Sequence, residues 1–304
     1  MNKYCDFCGI KTKNDSEYHS RCLKKLFNTD YFPKIDIDLK NISLKAQDMA
    51  GKMSISGVQV KLSLKLNRKN KKLEVAQENG EYILKPQLET FPNIPQNENL
   101  CMNIAYNLGI AVPSHTLIQL ADNSTAYIVK RFDRDKKEKL HMEDFMQILT
   151  EEGKYKCSLE KIGQKIKTSS EFPGLDVQLF FERVLLFFII GNGDAHLKNF
   201  SLIYTPQGRI RLSPAYDIVC TKLVIPDEDD LALTLNGKKN KITYADFKYF
   251  ADYLGIKTET CFKNILTKIS NIKELVNNSR LTDQEKKDFL RIIESRLSQL
   301  DYRS

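Results

Sequence analysis

The 304-residue sequence has no apolar stretch long enough to span a bilayer. Its most apolar run, residues 179–190, contains Glu182 and Arg183 and is too short, so it predicts a buried helix. Residues 1–5 lack the apolar segment of a secretion signal. Seven cysteines are an odd number, which argues against a disulfide framework. Together these absences predict a cytoplasmic location and no membrane partner.

The composition is that of an ordinary globular protein, with 41% hydrophobic and 28% charged residues. The net charge is +8, and basic residues crowd two stretches, 61–72 and 238–241. Such patches can attract nucleic acid or an RNA-bound substrate, or they can be solvated hairpin tips. Because the net charge is modest, we favour the interpretation that both stretches are solvated hairpin tips. We therefore expect only an indirect association with nucleic acid.

The first half of the chain has the patterns of a β-sheet with one helix. Apolar and polar residues alternate over 58–66, and 73–77 and 82–85 continue the strands, with Asn79-Gly80 as a hairpin signal. A helix is predicted over 97–108, and Gly109 ends it. A second predicted hairpin pairs 115–120 with 125–132.

The second half is predicted to be mainly helical. Helical periodicity covers residues 141–150, 176–190, 244–254, 259–276 and 282–300, whereas 154–174 reads as a polar stretch. We therefore predict a bilobal α+β fold. Its parts are an extension at 1–50, a β-rich lobe at 51–135 and a helical lobe at 136–304.

The first fifty residues contain four soft or borderline metal donors in two pairs. Cys5 and Cys8 form one pair, and His19 and Cys22 form the other. The residue types and spacings are typical of a small zinc site. The alternative is free thiols in a short helical cap.

Residues 191–199 read Gly-Asn-Gly-Asp-Ala-His-Leu-Lys-Asn and follow the buried run. Transfer of a phosphoryl group to a hydroxyl needs a carboxylate that accepts the proton and an amide oxygen that ligates magnesium. Asp194 and Asn199 have the spacing of that pair in the kinase catalytic loop. The alternative is a polar turn between two core elements.

A second carboxylate, Asp217, follows a predicted hairpin of residues 200–204 and 210–212. Such a carboxylate can bind the same metal from the opposite side, as the aspartate of the kinase Asp-Phe-Gly motif does. No Phe-Gly follows here, because Ile218 and Val219 occupy those positions. Asp217 could instead cap the next segment.

Five ordered motifs, at 54–61, 82–86, 129–134, 191–201 and 213–217, resemble the HipA family of bacterial serine/threonine kinase toxins. More distantly, the catalytic loop is similar to that of phosphatidylinositol kinases. The likeness covers roughly residues 50–300. The sequence is shorter than a full HipA, so we expect the N-terminal subdomain of HipA to be absent. In this respect it is similar to HipT, the small kinase of three-gene toxin systems.

The resemblance implies how the chain would hold the nucleotide. Lys85, at a predicted strand end, matches the lysine that contacts the phosphates, and Glu98 could pair with it. Alternatively, Lys85 is an exposed strand-end lysine and Glu98 serves the helix dipole. The hinge that meets adenine would use backbone groups of Lys130 and Phe132, although Phe132 could also be a core residue.

Two residues of the catalytic loop flank the Asp194 and Asn199 pair. Lys198 could neutralise the transferring phosphoryl group. For His196 we prefer a structural role, in which it braces the loop through hydrogen bonds.

The loop at residues 54–58 matches the phosphate-covering loop of the family but has a single glycine. Ser56, Gly57 and Val58 would approach the nucleotide. Ser54 and Ser56 match the autophosphorylation sites of HipT-like members, where an added phosphate would repel the ATP γ-phosphate. They could also be ordinary turn serines.

By resemblance, the chain is an ATP- and Mg²⁺-dependent protein kinase and the toxin of a toxin–antitoxin system. Its partners would be HipB-like DNA-binding and HipS-like antitoxin subunits. Its substrate would be an aminoacyl-tRNA synthetase, the tryptophanyl enzyme if HipT is the guide, so that phosphorylation inhibits translation. The alternatives are a lipid or small-molecule kinase and a catalytically dead module that binds antitoxin or nucleic acid.

Overall fold

The computed structural model describes residues 4–12, 16–42, 60–135 and 138–300. Its largest sheet has six strands, in the order β1-β3-β2-β4-β6-β5. These are β1 (Lys34–Ile35), β2 (Leu62–Asn67), β3 (Lys72–Val75), β4 (Tyr82–Pro86), β5 (His115–Gln119) and β6 (Thr125–Lys130). The β1–β3 pair is parallel, and the other neighbours are antiparallel.

The hairpin predicted at Asn79-Gly80 is wrong, although the turn itself is present. Asn79 has φ of 55°, and Glu81 donates its amide to the carbonyl of Leu64. Because β2 lies between β3 and β4, Leu64 faces Val75 on one side and Tyr82 on the other. The turn therefore carries the chain across β2.

Helix α2 (Ile94–Leu108) lies between the sheet and the helical half of the chain. An earlier helix, α1, covers Ser20–Phe27. Helix α2 starts three residues before the predicted position, with a proline in its first turn. It ends at Gly109, whose φ of 92° lets its amide bond the carbonyl of Ala105, as predicted.

The helices of the second half are α3 (Phe145–Ile148), α4 (Leu159–Ser169), α5 (Pro173–Ile189), α6 (Tyr244–Leu254), α7 (Thr258–Leu266), α8 (Ile269–Asn277) and α9 (Asp283–Leu300). The predicted boundaries of α6 are confirmed, but the polar stretch at 154–174 contains a helix that the prediction missed. The single helix predicted at 259–276 is two helices, α7 and α8.

The helix predicted at 141–150 is also wrong. Met142–Asp144 form a strand, and α3 begins only at Phe145. Asp144 starts that helix by accepting the amide of Gln147, whose side chain bonds back to the amide of Asp144. The strand pairs with Ser201–Tyr204, so tertiary pairing overrides the local helical pattern.

Three short strands support the loop after α5. These strands are β9 (Met142–Asp144), β10 (Ser201–Tyr204) and β11 (Ile210–Leu212). Strands β7 (Arg134–Asp135) and β8 (Glu138–Lys139) form a separate two-stranded sheet. The hairpin of β10 and β11 is where the sequence predicts it. Residues 191–199 therefore lie between α5 and an ordered strand.

The described residues form two hydrophobic clusters. One packs the six-stranded sheet against Cys5, Leu26 and Phe27 from the first segment. The other gathers α2 and the later helices around α5, whose run from Phe180 to Ile190 is almost wholly buried, as predicted. In the described part of the chain, no helix combines the length and apolarity that crossing a bilayer requires.

Candidate active site

Lys85 and Glu98 form a buried ion pair between the sheet and α2. Lys85 lies near the end of β4 with 3% of its surface exposed, and Glu98 lies in the second turn of α2 with 1% exposed. Nζ of Lys85 is 2.5 Å from Oε1 of Glu98. Lys85 is therefore not an exposed strand-end lysine, and the contact predicted for Glu98 is present.

The same amine contacts a third element. Nζ of Lys85 also donates to Oδ1 of Asp217, and Nζ of Lys61 lies 3.5 Å from the other carboxylate oxygen. Asp217 has φ of 54°, in the left-handed region that favours glycine. Its side chain remains one-third exposed, so one face is open to solvent. Lys85 thus connects β4, α2 and the segment after β11.

The charges of this cluster stabilise the ionised forms of Lys85 and Asp217. Burial opposes ionisation of Asp217, but Lys85 and Lys61 outweigh it and hold the pKa of Asp217 below its usual value. Burial likewise opposes the charge on Lys85, but the two carboxylates raise its pKa. Burial raises the pKa of Glu98, and Lys85 only partly offsets this. A lysine between two carboxylates is therefore charged at neutral pH.

The glycines of residues 191–199 are required by close packing. A Cβ on Gly193 would lie 2.5 Å from the carbonyl oxygen of Asp229, and Gly191 has φ of 69°. The amide of Gly193 donates to Oγ1 of Thr221 over 2.8 Å. Only glycine lets the loop approach this segment so closely.

Asp194 and Lys198 both point to solvent, so both are available to a substrate. The hydroxyl of Tyr155 donates to Oδ1 of Asp194 over 2.5 Å. Burial raises the pKa of Tyr155, and Asp194 adds to the effect. The sequence gave no signal for this tyrosine, which lies in the polar stretch before α4.

His196 and Asn199 brace the loop. The amide of His196 donates to Oδ1 of Asn199 over 3.0 Å, and Nδ1 of His196 accepts the amide of Lys198 over 3.3 Å. Burial, followed by the charge of Lys154, lowers the pKa of His196, which favours the neutral ring that this acceptor role needs. The bracing role preferred for His196 agrees with these contacts.

Tyr216 connects the catalytic loop to Asp217. Its hydroxyl donates to the carbonyl of Lys198 over 2.9 Å and also bonds Ser201. Since Tyr216 precedes Asp217 and Lys198 precedes Asn199, these bonds fix the two loops beside each other. Asn199 and Asp217 offer amide and carboxylate oxygens, the ligand type that Mg²⁺ prefers.

The remaining predicted nucleotide contacts differ in outcome. The amide of Lys130 donates to the carbonyl of Ser114, so that N–H belongs to the sheet. Among the described residues the amide of Phe132 has no acceptor, and its ring lies 5.5 Å from that of Tyr216. The predicted contacts of Ser54, Ser56, Gly57 and Val58 lie outside the described residues. Lys61, which ends the 54–61 motif and lies in a basic stretch of the sequence, contacts Asp217.

The four predicted zinc ligands come together away from this site. Single donor atoms of Cys5, Cys8, His19 and Cys22 all lie within 4.8 Å of one another. A metal site requires such clustering, whereas the alternative of free thiols in a short helical cap does not.

A comparison with protein families identifies the chain. A model described as the HipA-like C-terminal domain matches residues 53–276. The chain belongs to the HipA-like family. The match includes Lys85, Glu98, Asp194, Asn199 and Asp217, so the family was recognisable from its motifs.

Relatives of this HipA-like chain carry kinase names. A Haemophilus influenzae protein named "Putative kinase" is 30% identical over 309 residues, covering 89% of each chain. "Putative kinase Y4dM" of Sinorhizobium fredii is 33% identical, covering 81% of this chain but 63% of its own length. The serine/threonine-protein kinase toxin HipA of Shewanella oneidensis is 26% identical, covering 72% and 55%. The chain thus spans little more than half of HipA.

Two solved structures support the fold. A chain of the Shewanella oneidensis complex of HipA, HipB and operator DNA matches with a TM-score of 0.65 at 23% identity, covering 82% of this chain and 65% of that one. The Helicobacter pylori proinflammatory kinase CtkA matches with a TM-score of 0.54 at 18% identity, covering 82% and 91%. The predicted kinase-like α+β fold is confirmed.

Proposed function

We propose that this HipA-like chain is an ATP-dependent serine/threonine protein kinase that acts as the toxin of a toxin–antitoxin system. The contact of Lys85 with both Glu98 and Asp217 carries the proposal. Kinases keep a lysine in this position to grip nucleotide phosphates, with the glutamate orienting it and the aspartate beside it. A purely structural site would gain little from burying the Lys85 and Glu98 ion pair, because desolvating the two groups is costly.

In the proposed reaction a substrate hydroxyl attacks the γ-phosphorus of ATP. Asp194 accepts the hydroxyl proton, a new P–O bond forms, and the bond from the γ-phosphorus to the β–γ bridging oxygen breaks, releasing ADP. Lys85 holds the phosphates, and Lys198 offsets negative charge at the transferring group. The backbone amide of Phe132 would meet the adenine. The amide of Lys130 is bonded within the sheet, so Lys130 would contribute by holding the end of β6 in place.

The cofactor of this reaction would be Mg²⁺, and Asn199 and Asp217 would hold it. It would shield the phosphate charge and fix the orientation of the phosphates. Asp217 suits this task because Lys85 and Lys61 keep it ionised while one-third of its side chain stays open. The Cys/His cluster is proposed to hold Zn²⁺ separately.

We also propose that Ser54 and Ser56 are autophosphorylation sites. Their loop leads directly to Lys61, which lies 3.5 Å from Asp217. Two more negative charges there would compete with ATP for the same cations. Phosphorylation would therefore weaken nucleotide binding.

The resemblance to the family supports a proposal for the substrate and partners. The chain would phosphorylate an aminoacyl-tRNA synthetase, the tryptophanyl enzyme first, in the cytoplasm. A HipB-like antitoxin subunit would neutralise it, since one similar solved structure holds HipA with HipB and operator DNA. A HipS-like subunit is proposed from the resemblance to HipT alone. The division into 1–50, 51–135 and 136–304 is part of the same proposal.

Induced expression in the native host tests the toxin role. Wild-type protein should arrest growth and add phosphate to a synthetase serine in the phosphoproteome, and Asp194→Asn should do neither at equal protein levels. Co-expression with the proteins encoded in the same operon should restore growth. Arrest by Asp194→Asn as strong as by wild type would contradict a catalytic toxin.

A further inference from the structure

The Cys5, Cys8, His19 and Cys22 cluster has the dimensions of a zinc site. A tetrahedral zinc with bonds of about 2.3 Å to sulfur and about 2.05 Å to nitrogen separates those donors by about 3.6 Å. Sγ of Cys8 lies 3.5 Å from Nδ1 of His19. All four donor atoms lie within 4.8 Å of one another. Three sulfurs and one imidazole are a donor set that zinc prefers.

The backbone around the cluster also suits a metal. Nε2 of His19 donates to the carbonyl of Lys11 over 3.2 Å, which leaves Nδ1 without a proton and free to ligate. The amides of Cys8 and Gly9 turn back to the carbonyl of Cys5. Gly9 has φ of 70°, so this tight turn favours glycine.

The turn at residues 4–11, which we call the knuckle, docks on the helix that carries Glu98. Three asparagines of α2, spaced four residues apart on one face, donate their side-chain amides to knuckle carbonyls. Asn99 and Asn103 bond the carbonyl of Asp6 over 3.0 and 3.1 Å, and Asn107 bonds that of Cys8 over 3.0 Å. Asn99 and Asn103 are 5% and 4% exposed. Hydrogen bonds at this depth stabilise a defined position of the helix.

The knuckle is held from the other side as well. Arg280, just beyond α8, pairs with the carboxylate of Asp6 at 3.2 and 3.3 Å. A Cβ on Gly9 would lie 2.3 Å from Cδ2 of Leu275 in α8. The knuckle therefore packs against both α2 and α8. Its own conformation depends on how Cys5 and Cys8 are held.

We propose that Cys5, Cys8, His19 and Cys22 bind one zinc ion, and that the zinc-ordered knuckle positions α2 so that Glu98 meets Lys85. Asn99 follows Glu98 directly in the helix. An interaction that fixes Asn99 therefore also fixes the position of Glu98 relative to Lys85. The metal site does not depend on the proposed kinase function. Only its effect on turnover does.

Metal analysis and hydrogen exchange of the full chain test the site without any kinase assay. Protein purified without chelator should contain about one zinc per chain. Removing zinc by chelation should speed amide exchange in 94–108 by at least tenfold, and adding zinc should restore it. Cys8→Ser should lose the metal, and Cys157→Ser, outside the cluster, should keep it. Absence of zinc from the wild type, or unchanged exchange in α2 after its removal, would overturn the proposal.

The asparagine contacts are tested separately, in case Cys8→Ser fails to fold. The Asn99→Ala and Asn103→Ala double variant should keep zinc yet show faster exchange in α2. If the chain is a kinase, this variant and the chelated wild type should lose kcat/KM for ATP by at least tenfold, and zinc should rescue only the latter. Normal exchange in the double variant would overturn the positioning role. A wild type that binds zinc but lacks kinase activity would refute only the proposed function.

Discussion

Nζ of Lys85 lies 2.5 Å from Oε1 of Glu98, and both side chains are almost completely buried. Burying an ion pair costs desolvation energy that the mutual attraction often fails to recover. The pair is nevertheless joined by a third ionised group, Asp217, which stays open to solvent on one side. A buried pair beside an accessible carboxylate fits a lysine that holds phosphates next to a carboxylate that binds their metal ion.

Lys85→Met should abolish nucleotide use with the fold retained. It removes the cation that holds the phosphates, and we expect kcat/KM for ATP to fall roughly 10²- to 10³-fold, as for other lost charge-stabilising groups. Glu98 would then take up a proton, because burial already raises its pKa. Steady-state kinetics and circular dichroism make the test.

Lys72→Met is the matched control for that experiment. Lys72 lies in the same sheet, but its side chain is 43% exposed and pairs with Asp36 at the surface. Such pairs contribute little to stability. Equal kinetic losses in the two variants would mean that Lys85 has no special role.

Tyr155→Phe should raise activity. The phenol of Tyr155 donates to Oδ1 of Asp194, the carboxylate that is proposed to receive the substrate proton. Hydrogen bonds to charged groups contribute about 1.5–3 kcal/mol, so freeing Asp194 should raise kcat/KM for the protein substrate about tenfold. Tyr249→Phe, at an exposed position on α6, serves as control. Reduced kcat/KM would show instead that Tyr155 orients the base.

Replacing Ser54 and Ser56 with alanine should remove the loop phosphate without lowering affinity for ATP. The substitutions add no charge to the chain, so nucleotide titration by fluorescence should match unphosphorylated wild type. Acidic replacements should weaken ATP binding only partly, because each carries one charge instead of nearly two. Phosphate that mass spectrometry finds only elsewhere, for example at 150–170, would refute this assignment.

His115 predicts a pH dependence of stability. It is 2% exposed, its Nδ1 donates to the carbonyl of Pro113, and burial lowers its pKa to about 4. An unfolded histidine titrates near pH 6.5, so between about pH 6.5 and 4 the unfolded chain binds a proton that the folded chain does not. Acidification should therefore cost up to about 3 kcal/mol of unfolding free energy, and the loss should level off below the folded pKa.

Urea denaturation of wild type and His115→Asn across that range isolates the effect. The variant cannot titrate at this position, so the difference between the two unfolding free energies should shrink as the pH falls. A difference independent of pH would mean that the pKa of His115 is the same in the folded and the unfolded chain.

Local patterns in the sequence predicted the parts of the site that depend on local chemistry. Strand alternation placed Lys85, and the apolar periodicity ending at Gly109 placed α2 and Glu98. Glycines and the polar segment after a buried helix located Asp194 and Asn199. The Cys/His spacing identified the four residues that the fold gathers into one cluster.

Long-range pairing accounts for the errors. The turn at Asn79-Gly80 has local hairpin chemistry, but β2 inserts between the strands that it joins. Residues 142–144 form strand β9 because β10 is available to pair with them. The periodicity of the local sequence does not reveal that partner. Tyr155 reaches Asp194 across 39 residues, and nothing in its neighbourhood marks it.

Incubation of the purified chain with labelled ATP and Mg²⁺, followed by phosphate mapping, tests the central claim most directly. The account predicts that wild type incorporates phosphate on serine, and that Asp194→Asn and Asp217→Asn, both folded by circular dichroism, incorporate at least a hundredfold less. The first variant loses the proton acceptor, and the second loses the metal ligand. Equal labelling of wild type and either variant would contradict this account. So would a folded, zinc-loaded wild type that phosphorylates neither itself nor any serine-containing substrate offered.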